Sequence, residues 1–177
     1  MRHDRIRKLS RCALFTALMA VCAWLSVPMG DIAFTMQTFG LFLTLGLLGG
    51  KLGSVTCAVY LLLGAVGLPV FHGFQGGFGM LLGATGGYLA GFLAAALIYW
   101  AVTAAFGQKP LIKGLAMVLG SIGCYAFGTA WFFFAYTGGS ALTLGAVTAK
   151  CVLPYLIPDA CKIALALLLT KKLDRFL

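Results

Sequence analysis

Polar residues in this chain gather into short patches, and between them apolar side chains run on for unusually long stretches. Six such runs lie near residues 12–30, 33–50, 52–69, 80–106, 111–136 and 157–174. About 20 helical residues cross a hydrocarbon core of about 30 Å, so each run is expected to form one membrane-spanning helix, with tilt absorbing the differences in length. The pattern predicts an all-α integral membrane protein: one transmembrane domain over 1–177, a bundle of about six helices, and a basic leader at 1–11. Composition agrees, at 62% hydrophobic and 10% charged residues with a mean hydropathy of +1.02, far outside the soluble globular range.

Charge then orients the helices. A net charge of +9 in a soluble chain would suggest nucleic acid as a partner, but here the basic residues are confined to the connections. Arg2, Arg5, Arg7, Lys8 and Arg11 precede the first run, Lys51 separates the second and third, and Lys109 and Lys113 separate the fourth and fifth. Lys171, Lys172 and Arg175 close the chain. With an even number of crossings, eleven of the thirteen basic residues share one side, and the positive-inside rule makes that side the cytoplasm. Both termini are therefore expected to be cytoplasmic, with Lys150 and Lys162 on the opposite half. The stretch Cys12–Val27 behind its basic flank also has the look of a signal peptide, but it lacks an A-x-A site and five further runs follow, so it reads as a retained helix.

The inventory for catalysis is thin. His3 lies in the leader and His72 in a loop, so neither is placed to activate a membrane serine, and Asp31, Asp159 and Asp174 do not form the pair an intramembrane aspartyl protease needs. The string GLLGGKLG around Lys51 lacks both the leading glycine spacing and the Ser or Thr of a phosphate loop, so the chain is not expected to use ATP by itself. Cys12, Cys22, Cys57, Cys124, Cys151 and Cys161 are scattered through apolar segments without C-x-x-C spacing, which points to small hydrophobes and to no metal site.

Small residues mark close approaches. In GGFGMLLGATGGYLAGF, Gly79, Gly83, Gly87 and Gly91 recur every fourth position, a stripe along one helix face that serves helix packing or a ligand. Gly76, Gly77 and Gly79 are candidates for a loop over a ligand, and Ala13 and Ala17 form an A-x-x-x-A pair continued by Ala20 in the first helix.

Polar groups converge on the outer half. FTMQTF places Thr35, Gln37 and Thr38 in the outer turns of the second run, the loop after LLLGAVGLPVF carries His72 and Gln75, and Trp131 and Tyr136 end the fifth run. Asp159 follows Pro158, as at an ordinary helix start, and Lys162 lies three residues on along the same face, so the two can pair. Ionisable groups inside a membrane span are costly and usually line a cavity, which makes a binding pocket the better reading. Such a pocket suits a small polar head with donors and acceptors, Phe71, Phe74, Phe78, Tyr88 and Trp131 being available to cover an apolar body.

The ordered strings FTMQTF, LGAVGLPVF, GGFGMLLGATGGYLAGF and PYLIPDACKIALA resemble the BioY family of biotin transporters, the substrate-binding S components of energy-coupling-factor (ECF) transporters, from about Pro28 to the end. The resemblance implies a six-helix S-component bundle in the cell membrane that holds biotin near the outer face. Asp159 would accept from the ureido N–H groups with Lys162 neutralising it; Thr35 and Gln37 match the polar motif of the second helix, and Gly77, Thr85, Gly86 and Tyr88 match the glycine-rich one. Gln75 is added from its place in the loop. Ala13 and Ala17 match the small-residue motif that meets a transmembrane T component, which implies that protein and two cytosolic ABC-type ATPases as partners, with ATP used by the latter. Two departures concern backbone shape: Ala84 stands where the family usually has proline, and no glycine separates Pro158 from Asp159. A solitary biotin carrier and a non-transporting membrane assembly protein are the competing readings.

Overall fold

A computed structural model of the chain describes residues 2–27, 33–136 and 143–173; Asp31, Asp174, Arg175 and the side chain of Tyr136 lie outside what is described. Helix α1 (Arg2–Trp24) begins within the basic leader and ends before the expected boundary at 30. Two short strands, β1 (Ser26–Val27) and β2 (Phe34–Thr35), pair antiparallel with Ser26 opposite Thr35 and Val27 opposite Phe34. They lead into α2 (Gln37–Ala65), a 3₁₀ turn at His72–Phe74, α3 (Phe78–Leu82), α4 (Gly86–Phe106), α5 (Pro110–Trp131), a π-helical turn at Phe132–Tyr136, α6 (Leu144–Cys151) and α7 (Leu153–Leu173). Among the described residues, four helices are long and apolar enough to cross a membrane: Gln37–Ala65, Gly86–Phe106, Pro110–Ala135 and Leu153–Leu173.

α2 is two arms rather than one rod. Gly49 has φ 76° and ψ 169°, a conformation essentially confined to glycine, and the helix is interrupted there. Gln37 Nε2 donates to Tyr60 OH at 2.7 Å, although a straight helix would hold residues so far apart in sequence about 34 Å from each other. The chain therefore turns back at Gly49, and residues 37–48 pack against 50–65. Gly53 lies so close to Leu45 that a Cβ there would sit 3.1 Å from the Leu45 Cα. These arms correspond to the runs expected at 33–50 and 52–69.

Two other expectations are corrected. The run at 80–106 is not one helix: α3 ends at Leu82, Gly83 is extended, and α4 starts at Gly86. The stripe of four glycines is thus split, and only Gly87 and Gly91 remain on α4, where added Cβ atoms would meet Trp131 and Cys124 at 2.2 and 3.0 Å. At the break the carbonyl of Gly83 accepts from the Gly86 N–H at 3.0 Å and from Trp131 Nε1 at 3.1 Å. The last helix does not begin at Pro158. It starts at Leu153, so Pro158 and Asp159 fall in its second turn, where the first-turn helix dipole no longer accounts for the acid.

α4 and α5 approach closely, with Gly120 packed on the Ala95 carbonyl and Gly128 against the Tyr88 ring. Some buried hydroxyls bond the preceding turn, as in Thr44 to the Gly40 carbonyl and Thr103 to the Tyr99 carbonyl, a pattern suited to a medium without water. Leu62, Leu97, Ile122, Phe127, Leu165 and Leu168 are exposed around the perimeter, where lipid would meet them. The five buried cysteines and exposed Cys161 are all free thiols. At one end of the bundle Lys113 Nζ donates to the Gly46 carbonyl at 3.1 Å, and Gly46 abuts Thr170, so the turn at Gly49, the start of α5 and the end of α7 meet.

Candidate ligand-binding site

At the opposite end, α2, α4, α5 and α7 enclose a cavity of about 590 Å³, its open mouth included. Its floor is built on α7. Asp159 and Lys162 are 6% and 5% exposed, and Lys162 Nζ lies 2.7 Å from Asp159 Oδ1. One helical turn brings them together because residues three apart share a face. Lys162 also donates to the Thr35 carbonyl at 2.7 Å and to Thr38 Oγ1 at 3.1 Å, and its ammonium lies 4.1 Å from the centre of the Phe34 ring. The paired strands explain this reach: β1 fixes β2, whose Phe34 and Thr35 present a ring and a carbonyl to α7.

Asp159 is correspondingly well solvated by protein. Oδ1 accepts from Lys162 and from Thr38 Oγ1 at 3.1 Å, and Oδ2 accepts from Tyr125 OH on α5. A carboxylate has about four lone-pair positions, so a site on Oδ2 is left for a ligand N–H.

A second network frames the cavity's other side. Thr35 Oγ1 donates to Gln37 Oε1 at 3.0 Å and accepts from the Gln37 backbone N–H, closing a local turn at the start of α2. Gln37 continues to Tyr60 OH, which donates to the Val70 carbonyl at 2.9 Å. This chain joins β2, both arms of α2 and the loop that follows, leaving Gln37 with one N–H and one lone pair uncommitted.

Of the residues singled out in the sequence, Thr35, Gln37, Thr38, His72, Thr85, Tyr88, Asp159 and Lys162 line the cavity. Tyr88 is held by Thr129, their hydroxyls 3.2 Å apart. Gly77 and Gly86 are not among the lining residues. Gly77 has φ 100° and donates its N–H to the Gly64 carbonyl at 2.7 Å, while a Cβ on Gly86 would fall 1.9 Å from the Leu81 carbonyl oxygen. Gln75 is exposed outside the lining, with its carbonyl accepting from the Phe71 N–H at 2.9 Å. Ala13 and Ala17 lie elsewhere, on a separate groove of α1 that also includes Thr16, Val59 and Leu63.

The aromatic cover differs from expectation. Phe71 is fully buried against the edge of Tyr60, Phe74 stacks on Trp24, and Phe78 is exposed. Trp131 is also outside the lining, whereas Tyr88 lines the cavity as expected, joined by Phe92, Tyr125 and Tyr155. Tyr125 and Tyr155 carried no sequence signal as pocket residues, since tyrosines are common in membrane helices, whereas His72, grouped in the sequence with the polar residues of the outer half, does line the cavity. Cys161 is exposed and absent from the lining. Among the described residues no group of three or more His, Cys, Asp or Glu could hold a metal ion.

Comparison with known proteins places this architecture. The sequence profile of the BioY family matches residues 1–177. A probable biotin transporter BioY of Pyrococcus horikoshii is 36% identical over 170 residues, covering 96% of this chain and 98% of that protein. The biotin transporter BioY of Thermotoga maritima is 50% identical over 93 residues, a match that spans 52% of this chain and 55% of its own length. The fold is similar to a crystal structure of the S-component for biotin from an ECF-type ABC transporter, with a TM-score of 0.86 at 23% identity over 99% of this chain and 94% of that one. With a family match over its whole length and a multi-helix membrane bundle of the same shape, the chain belongs to the BioY family.

Proposed function

We propose that this chain captures biotin at the outer face of the cytoplasmic membrane and carries it inward as the substrate-binding subunit of an ECF-type transporter. The observation that carries the reading is the buried Asp159–Lys162 pair on the floor of a cavity in a BioY-family chain. Asp159 Oδ2 accepts a ureido N–H, and Lys162 holds the carboxylate in place, its ammonium 2.7 Å from Oδ1. Thr35, Gln37 and Thr85 offer further donors and acceptors, and Tyr88, Phe92, Tyr125 and Tyr155 cover the apolar part of the ligand. Gly77, Gly86 and Gln75 shape the loop and the helix start.

The chain crosses the membrane six times in this reading, through α1, the two arms of α2, α4, α5 and α7, with both termini cytoplasmic. The exposed Ala13 and Ala17 on α1 offer a smooth surface to a transmembrane T component, and two cytosolic ABC-type ATPases supply the ATP chemistry.

The test is calorimetric titration of the detergent-solubilised chain with biotin, beside Asp159→Asn and Lys162→Ala variants that elute as single folded species. The parent is expected to bind and both variants to lose about a hundredfold or more, since each leaves a buried charge unpaired or the ligand N–H without its acceptor. A folded parent that gives neither heat nor thermal stabilisation with biotin overturns the assignment. Co-purification of a T component and ATPases with the tagged chain supports the coupled form, whereas uptake in cells lacking them supports a solitary carrier.

A further inference from the structure

The Asp159–Lys162 pair leaves one requirement of an anionic ligand unmet. The three donors of Lys162 are committed to the Thr35 carbonyl, Thr38 Oγ1 and Asp159 Oδ1. Its charge is neutralised at 2.7 Å by a carboxylate that repels a second one. A ligand carboxylate must therefore lie away from the floor and find its donor elsewhere.

One lining side chain is placed for this. His72 faces the cavity, and its Nε2 is buried without a hydrogen-bond partner among the described residues. A buried polar atom left unmade is costly, so a fold that holds one in a pocket wall is explained when something else completes the bond. The surrounding loop is anchored on both sides: Tyr60 OH holds the Val70 carbonyl, Phe71 is fully buried, and Phe71 and Gln75 bridge across the turn. Gly73, Phe74 and Gln75 are exposed, which puts His72 at the mouth while Asp159 and Lys162 form the floor.

Resting on the biotin reading above, we propose that His72 holds the ligand's carboxylate, its Nε2–H donating to a carboxylate oxygen at the mouth while the ureido ring lies against Asp159. Burial pushes the imidazole below its ordinary titration range, so it faces the cavity neutral, with a single N–H to place. That proton on Nε2 leaves Nδ1 as the acceptor. His72 thereby reads the length and charge of the ligand tail, and Asp159 reads its ring.

The experiment titrates the full detergent-solubilised chain with biotin and with biotin's primary amide, whose tail is neutral. The variants are His72→Leu, His72→Gln and His72→Asn, each checked for ligand-free melting. His72→Leu is expected to bind biotin about ten- to a hundredfold more weakly, with a smaller loss for the amide, so that the parent's preference for the carboxylate shrinks. His72→Gln, whose amide nitrogen reaches the Nε2 position, retains most of the affinity; His72→Asn, which reaches only Nδ1, behaves like leucine. The Gln and Asn comparison decides alone if the leucine variant does not fold. Equal losses for both ligands, or none in a folded variant, overturn the role of His72 while leaving the biotin reading intact. A folded parent that binds no biotin removes that reading and this one with it.

Discussion

Lys162 is 5% exposed and holds Asp159, Thr38 and Thr35 together, so the pair has a structural role beside the recognition role proposed for it. The two roles separate by mutation. Asp159→Asn strands a buried ammonium, and Lys162→Met strands a carboxylate that keeps only Thr38 and Tyr125 as donors; each is expected to cost about 3–5 kcal/mol of stability. The double variant removes both charges and is expected to recover most of that loss, because a neutral pair no longer carries an uncompensated ion. Biotin affinity does not return with it, since the acceptor for the ureido N–H is gone. Unfolding in mixed micelles, read beside calorimetry on the same samples, makes the comparison; a double variant that recovers binding as well as stability assigns the ligand contact to other residues. This residue was legible beforehand because an ionisable group in an apolar run is conspicuous. Tyr125, which completes the carboxylate's shell, was not: its ring suits a membrane helix, and only the packing of α5 on α7 gives its hydroxyl a partner.

At the level of elements, hydropathy located the helical material but not the points where the backbone turns. The reversal at Gly49 and the break at Gly83–Thr85 both occur inside apolar, glycine-rich sequence, where transfer free energy hardly changes while the backbone changes direction. Likewise the restart of helix at Leu153 places Pro158 in the second turn, contrary to its usual reading as a helix start. Thr35 and Gln37 reach the cavity because β2 ends and α2 begins between them, a junction that alternation of polar residues alone could suggest but not fix. Gly49 offers the sharpest check. No atom lies within 4 Å of an added Cβ, so Gly49→Ala meets no steric clash, and its expected cost of about 1–3 kcal/mol comes from φ 76° alone. Gly50→Ala, next in sequence, meets the Trp100 Cα at 2.5 Å and is expected to be the more damaging for a packing reason. Melting curves in one detergent distinguish them, and a Gly49→Ala protein as stable as the parent argues against the tight reversal.

For the whole molecule, the separation of charge and cavity fixes a direction. The turn at Gly49, the start of α5 and the end of α7 meet at one end, so Lys51, Lys113, Lys171 and Lys172 collect there. The cavity mouth and the His72 loop lie at the other end, joined to the start of α2 through Gln37, Tyr60 and Val70. If the basic end is cytoplasmic, as the charge asymmetry predicts, the mouth opens outward. Single cysteines in a background with all six native cysteines replaced provide the test, once that background is shown to bind biotin. Phe74→Cys, at a position 64% exposed beside the mouth, is expected to react with a membrane-impermeant maleimide on intact cells. Lys109→Cys, exposed at the basic end, is expected to react only after the cells are opened. The reverse labelling pattern would turn the cavity toward the cytoplasm, and a pocket loaded from that side could not serve capture from outside, however tightly it held biotin.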